Sequence, residues 1–280
     1  MILDGKSVSN DIINKVKKNV EKNEKKIGFA IIWVGDDPAS SIYVNNKIKK
    51  CEYAGINAEL HHLDKNTTEE DLLCLIDELN KRDDINGILL QSPTPEHINE
   101  TNCFNRIDYL KDIDGFSNES LGNLVLGNPL NVSCTPKGIV TLLDYYNIDL
   151  TGKSVCLINR SNIVGKPLFH LLLERNATVT VCHSKTENIS FYTKNADIVI
   201  SAVGIPKFIT ADMIKEGSII IDVGISRVDG KVVGDVDFES VEKKAGYITP
   251  VPGGIGPMTI SMVLENLVNS YDEQILRRTR

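Results

Sequence analysis

No stretch of this 280-residue chain approaches the roughly 18 consecutive apolar residues that a membrane-spanning helix requires. The opening Met1-Ile2-Leu3-Asp4-Gly5-Lys6 lacks the basic-then-apolar pattern of a secretory signal, so no membrane partner is expected. Positive charge is also short. Against 38 Asp and Glu stand 31 Lys and Arg, and the net charge of −7 argues against nucleic acid as a partner, which would call for a basic face. The six cysteines, at 51, 74, 103, 134, 156 and 182, form no C-x-x-C pair and no zinc spacing. They are read as reduced thiols of a cytoplasmic protein with no metal site. Internal repeats and low-complexity tracts are absent, and so is an intact G-x-G-x-x-G dinucleotide fingerprint.

What is present describes a soluble globular protein, 41% apolar and 25% charged, long enough for two domains. After a first amphipathic helix behind Ser9, strands are predicted at 27–34, 58–63 and 87–91. Between them lie a helix capped by Asp37, opened by Pro38 and stopped at Gly55, and a helix behind a capping box of Thr67 and Glu70. A loop-rich stretch runs through 111–138, and a helix follows from Ile139. A second alternating unit then reads as strands at 154–158, 178–182, 197–203 and 218–223, with a helix at 168–175. Asp229-Gly230 signals a hairpin turn, and the X-Pro bonds of 250–257 are candidates for a cis peptide. A regular amphipathic helix from Ile260 to Ile275 closes the chain. This rhythm predicts α/β architecture, with parallel sheets covered on both sides and ligands at the carboxyl ends of strands.

On the Pro38 helix, Val44, Ile48 and Cys51 mark the buried stripe, and Tyr43 and Lys47 share a face beside it. Spacing alone leaves two readings open: a ring and an amine lining a cleft, or a tyrosine packed on the stem of a surface lysine. The loop Asn159-Arg160-Ser161-Asn162-Ile163-Val164-Gly165 lies between a strand and a helix, the geometry that receives a phosphate on backbone N–H groups. It is equally compatible with an ordinary turn. After the next strand comes His183-Ser184-Lys185 without an acidic residue, and together with Arg160 this suits the 2′-phosphate of NADP better than the free hydroxyl of NAD.

Taken together, these stretches resemble the methylenetetrahydrofolate dehydrogenase/methenyltetrahydrofolate cyclohydrolase family. The likeness rests on Val34-Gly35-Asp36-Asp37-Pro38-Ala39-Ser40 with Tyr43-Val44 and Lys47, on Lys111-Asp112-Ile113-Asp114-Gly115-Phe116, and on Cys134-Thr135-Pro136-Lys137-Gly138. It continues through Arg160-Ser161-Asn162-Ile163-Val164-Gly165, His183-Ser184, Ile221-Asp222-Val223-Gly224-Ile225 and the run from Pro250 to Thr259. These lie in the family's order and span essentially the whole chain. The resemblance implies a folate-binding catalytic domain of residues 1–138 plus 262–280. It implies a Rossmann-like NADP-binding domain of residues 139–261, a cleft between the two, and a homodimer joined through the NADP domain near Asp229-Gly230. It also implies a role in one-carbon metabolism and purine biosynthesis.

Carried over residue by residue, the resemblance implies that Lys47 is the catalytic lysine and Tyr43 lies against the folate. Gln91 stands beside the lysine, and Asp114 anchors the pterin. Pro252 and Gly253 join Tyr43 and Asp114 as expected substrate contacts; Asn159, Arg160, Ser161, Ser184 and Ile225 are the expected NADP contacts. The chemistry suits these types. Hydride transfer needs two flat rings held in register, and hydration of the methenyl cation needs a neutral amine to take a proton from water. Four positions depart from the family: Asn159 for glycine, Ser92 and Thr94 for apolar residues, and Trp33 for a smaller aliphatic side chain packed in the core. They leave two narrower readings open: a dehydrogenase with weak or absent cyclohydrolase activity, and a folate- or nucleotide-binding homologue without catalysis.

Overall fold

The computed structural model describes residues 1–23 and 26–279. The chain forms two compact units, one of Asp11–Cys134 with Ile260–Arg280, the other of Met1–Asn10 with Thr135–Thr259. In chain order the first elements are α1 (Gly5–Val20), β1 (Gly28–Val34), α2 (Pro38–Ala54), β2 (Asn57–Leu63), α3 (Glu69–Lys81), β3 (Gly87–Leu90), α4 (Glu100–Arg106) and α5 (Asn118–Val125). Their three strands make a parallel sheet in the order β2-β1-β3. Every residue of β1 and β3 is buried, as expected of parallel strands covered on both faces, whereas β2 is a half-exposed edge. Ala30, Ile32 and Val34 of β1 and Ile88 and Leu90 of β3 pack against Leu72, Ile76 and Leu79 of α3 and Cys103 of α4.

Helix α2 begins and ends as its sequence predicts: Asp37 accepts the Ser40 N–H at 2.7 Å, Pro38 opens the first turn, and Gly55 closes the last. The cap of α3 lies one residue later than expected. Thr68, not Thr67, accepts from the Asp71 N–H, and its hydroxyl donates to the Asp71 carboxyl. Helix α1 starts at Gly5 rather than after Ser9, and α4 and α5 occupy stretches without a clear helical period.

The second set of elements is α6 (Cys134–Tyr145), β4 (Ser154–Ile158), α7 (Gly165–Glu174), β5 (Thr178–Cys182), α8 (Ile189–Asn195), β6 (Ile198–Ser201), β7 (Ile219–Asp222), β8 (Ser226–Val228), β9 (Lys231–Val233), α9 (Phe238–Val241), β10 (Tyr247–Ile248) and α10 (Ile255–Arg278). Strands β4 and β5 match their predicted bounds, while α7 starts three residues earlier than predicted. The sheet is parallel throughout, in the order β10-β7-β6-β4-β5. This is a doubly wound arrangement whose strand order reverses between β4 and β6, so the loops leaving those strands form its ligand crevice. A core of Cys156, Ile158, Val199, Ile220 and Ile248 runs beneath it. Strands β8 and β9 form the predicted hairpin, with Asp229 and Gly230 both at positive φ (50° and 75°), the conformation a two-residue turn demands.

From Ile260 onward α10 belongs with the three-stranded unit, and a polar row at four-residue spacing docks it there. Asn266 donates to the carbonyls of Ile113 and Val132, Ser270 receives the Asn131 amide, and Gln274 donates to those of Asn86 and Leu110. Each of these satisfies a backbone or amide group that burial would otherwise leave unpaired. Among the described residues no helix is long and apolar enough to cross a membrane.

Candidate functional site

Lys47 lies deeper than its spacing suggests. It is only 8% exposed, while Ile48, expected in the buried stripe, is half-exposed. The buried face of α2 therefore runs through Val44, Lys47, Cys51 and Ala54. A buried amine needs a partner, and Lys47 Nζ donates to Gln91 Oε1 at 3.0 Å. Gln91 follows β3, where its N–H continues the ladder to Ile32, and its amide nitrogen donates to the Ser92 carbonyl at 2.7 Å. That second bond turns the amide oxygen toward the lysine. Tyr43 stands half-buried one turn before Lys47. Cys51, one turn after it, is a thiol that burial pushes up to about 12, with the Lys47 charge pulling the other way.

Asp114 belongs to the same unit. Burial of its carboxyl pushes the pKa up, the Lys47 charge and a hydrogen bond from Cys134 pull it down, and Asp112 pushes it up further. Asp112 shapes the loop. Its buried carboxyl accepts the N–H groups of Gly115, Phe116 and Ser117 and the Ser120 hydroxyl. Asn266 steadies the far side by donating to the Ile113 carbonyl at 2.8 Å and to the Cys134 sulfur. Lys47, Gln91 and Asp114 are thus brought together. Asp112, Cys134 and Asn266 escaped sequence reasoning as parts of this site. Only Asp112 carries a local signal, an aspartate a few residues before the glycine and serine N–H groups of a turn.

Three of the four departing positions lie in this unit. Ser92 and Thr94 are half-buried, the peptide bond between Ser92 and Pro93 is cis, and the Thr94 N–H donates to Glu100. Trp33 packs face to face on His62, with ring centroids 4.1 Å apart, and its indole N–H is buried without a hydrogen-bond partner. That matches the packing role expected of it.

The expected cofactor residues lie in the other unit, on loops at the carboxyl ends of its strands. Asn159, Arg160 and Ser161 follow β4, Ser184 follows the adjacent β5 and Ile225 follows β7, while two of the expected substrate contacts, Pro252 and Gly253, lie in the same unit after β10. Arg160, Ser161 and Ser184 are exposed. Gly165 starts α7 where nothing larger fits, because a Cβ there would lie 2.5 Å from the Asn159 carbonyl oxygen. Loop and helix N-terminus are therefore as close as a dinucleotide turn requires.

Asn159, in place of the expected glycine, does not block the loop. Its Oδ1 accepts the Ser161 N–H at 2.8 Å, and its Nδ2 donates to the Ala202 carbonyl at 2.5 Å, tying the loops after β4 and β6. The Ser161 hydroxyl accepts from the Val164 N–H. Val251-Pro252 is a cis peptide, within the loop where one was expected. An anion-receiving helix start, a guanidinium and two hydroxyls suit a phosphorylated dinucleotide. Among the described residues no cluster of His, Cys, Asp and Glu could hold a metal ion.

Comparison with known proteins gives the same picture. Residues 3–114 match the family model "Tetrahydrofolate dehydrogenase/cyclohydrolase, catalytic domain", and residues 133–275 match its NAD(P)-binding domain. A relative from Agathobacter rectalis, "Bifunctional protein FolD", is 51% identical over 274 residues, covering 96% of this chain and 98% of its own. The crystal structure of the bifunctional methylenetetrahydrofolate dehydrogenase/cyclohydrolase from Campylobacter jejuni is 47% identical, with a TM-score of 0.95 over 98% of this chain and 99% of that one. The Trypanosoma brucei dehydrogenase-cyclohydrolase, solved with NADP cofactor and inhibitor, is 33% identical, with a TM-score of 0.94 over 98% of both chains.

Proposed function

The chain belongs to the tetrahydrofolate dehydrogenase/cyclohydrolase family, and from that premise we propose how its residues divide the work. The protein oxidises 5,10-methylenetetrahydrofolate to 5,10-methenyltetrahydrofolate with NADP and hydrolyses the product to 10-formyltetrahydrofolate, both steps of one-carbon metabolism. Residues 1–138 with 262–280 hold the folate, and residues 139–261 hold NADP.

Lys47 is the general base of the hydrolytic step. Water oxygen bonds to the methenyl carbon as one water proton passes to a neutral Lys47 Nζ. The bond from that carbon to one of its two nitrogens then breaks, its electron pair staying with that nitrogen, which takes up the remaining hydroxyl proton as the carbon becomes the formyl group. The observation that carries this reading is the 3.0 Å contact between the buried Lys47 amine and Gln91 Oε1. A neutral amide fixes the amine without the negative charge that would hold it as ammonium. Asp114 receives the N–H groups of the pterin as a charge-assisted acceptor, and Tyr43, Pro252 and Gly253 contact the folate. NADP, when bound, supplies the nicotinamide ring that accepts the hydride. Arg160, Ser161 and Ser184 hold its phosphates, Asn159 shapes the loop beneath them, and Ile225 meets the nicotinamide half through its backbone.

Two copies joined through the NADP unit, with the β8–β9 hairpin at the contact, complete the reading. It is supported by the exposed Val228 on that hairpin. We further propose a cytoplasmic setting and a supply of formyl groups to purine biosynthesis, readings that family membership supports.

The test is an assay of purified protein with methylenetetrahydrofolate and either NADP or NAD. Methenyl product with a kcat/KM favouring NADP is expected; no turnover would remove the reading. The polar Ser92 and Thr94 beside Gln91 favour a second reading, weak hydrolysis. Rapid decay of supplied methenyltetrahydrofolate to the formyl product would exclude it.

A further inference from the structure

Two fully or nearly buried aspartates in the NADP unit have no part in the chemistry above. Asp222 ends β7 and Asp235 follows β9; they are 4% and 0% exposed. The Asp235 carboxyl accepts three donors from the segment leaving β6: the Ser201 hydroxyl at 2.8 Å, the Val203 N–H at 2.7 Å and the Ile205 N–H at 3.0 Å. The Asp222 carboxyl accepts the N–H groups of Gly224, Asp235 and Val236 at 3.1, 2.9 and 3.0 Å. Asp222 thus fastens the backbone at Asp235, and Asp235 in turn fastens the segment leaving β6, both at the carboxyl edge of the sheet.

The space is made for them. A Cβ on Gly224 would collide with the Asp235 carboxyl, and one on Gly234 with that of Asp222. Burial pushes the Asp222 carboxyl up to about 6 against the pull of its N–H donors, and Asp235 adds to the rise. Two buried carboxyls are costly, and here each is met by three hydrogen-bond donors. What the pair imposes is the path of two loops: 202–205 after β6, and 223–225 after β7, which ends at Ile225. Two lighter ties join the same loops to their neighbours. Ser226 Oγ donates to the Gly204 carbonyl at 3.0 Å, and Asn159 reaches the Ala202 carbonyl.

We propose that Asp235, braced by Asp222, is a positioning residue that holds the loops after β6 and β7 in the shape that receives the nicotinamide half of NADP. This rests on the reading that the Ile225 side of the sheet meets that half. It assigns the pair to hydride transfer alone, since hydrolysis of methenyltetrahydrofolate needs no nicotinamide.

The enzyme's two activities supply the test. In Asp235→Asn one amide oxygen can keep Ser201 and Val203, but the amide nitrogen then faces the Ile205 N–H. The KM for NADP is expected to rise about tenfold, the effect of losing one well-placed buried hydrogen bond, with hydrolysis of supplied methenyltetrahydrofolate within about twofold of wild type. A KM that stays put, or a parallel fall in both activities, overturns the proposal. Should Asp235→Asn yield no folded protein, Ser226→Ala removes an exposed tie to the same loop. It is expected to raise the KM for NADP by about threefold with hydrolysis unchanged; an unaltered KM overturns the proposal. Absence of NADP-dependent oxidation in the wild-type enzyme would instead defeat the underlying reading of the site.

Discussion

Lys47 points its amine at a neutral amide: Nζ lies 3.0 Å from Gln91 Oε1, and the Gln91 amide nitrogen is tied to the Ser92 carbonyl at 2.7 Å. The second bond decides the first, because an amide whose nitrogen is engaged on one side can offer only its oxygen on the other. The lysine is thereby oriented in a buried place by a group that carries no negative charge.

Gln91→Glu tests this directly. A carboxylate about 3 Å from the amine favours ammonium by several kcal/mol even at an effective dielectric of about 20. Hydrolysis of methenyltetrahydrofolate should fall by about 10² or more. Lys47→Met should abolish it while leaving some hydride transfer. Both are read from the decay of supplied methenyl substrate, and undiminished hydrolysis in Lys47→Met would take the general-base role away from this lysine.

Asp114 predicts a pH dependence. Its carboxyl is raised by burial, so it takes up a proton at a pH above the ordinary aspartate range of about 4. An acceptor for pterin N–H groups must be ionised to be strong, so the KM for folate should rise as pH falls toward that raised value. Asp114→Asn should have a KM higher by about 10- to 100-fold and flat over the same range. A wild-type KM that stays flat from neutrality down to the ordinary aspartate range of about 4 would count against the assignment.

Arg160→Ala should separate the cofactors. A charged hydrogen bond to the 2′-phosphate is worth about 1.5–3 kcal/mol, so kcat/KM for NADP should drop by about 10- to 100-fold. NAD lacks that phosphate and should be used as before. Equal losses with both cofactors would show that Arg160 serves the pyrophosphate or the fold instead.

Lys111 predicts a purely structural effect. Its buried Nζ donates to the carbonyls of Leu79, Asn80 and Arg82 at 3.0, 2.7 and 2.7 Å, closing the carboxyl end of α3. Lys111→Met keeps the volume and orphans those carbonyls, at a cost of about 2–3 kcal/mol. Denaturant unfolding should show the loss, with kcat for both reactions unchanged. The expected result is a lower denaturant midpoint at an unchanged slope, and an unaltered midpoint would overturn the prediction.

Much of the fold was legible because its causes are local. Asp37, Pro38 and Gly55 bound α2 through contacts within a turn or so of each end, and the bounds of β4 and β5 follow from apolar runs between turn residues. The α3 cap was misplaced by one residue because Thr67 and Thr68 offer the same hydroxyl, and only the arriving chain decides which one caps. The depth of Lys47 was not legible at all. Spacing set it beside the stripe, yet it sits within it, because the cost of burying its amine is met by Gln91, 44 residues away.

The sequence by itself determined the parallel α/β rhythm, the helix caps, the Asp229-Gly230 hairpin and the motifs that name the family, all of which depend on interactions between near neighbours or on the order of short motifs. Only the tertiary structure decided that Asn266, 153 residues from Ile113, steadies the loop of Asp114. It alone decided that Asp222 and Asp235 lock two loops together, and that Asn159 spans from β4 to Ala202. Such contacts form only once the packing of strands and helices has brought distant residues together. Their strength comes from burial, which excludes the water that would otherwise satisfy the same groups.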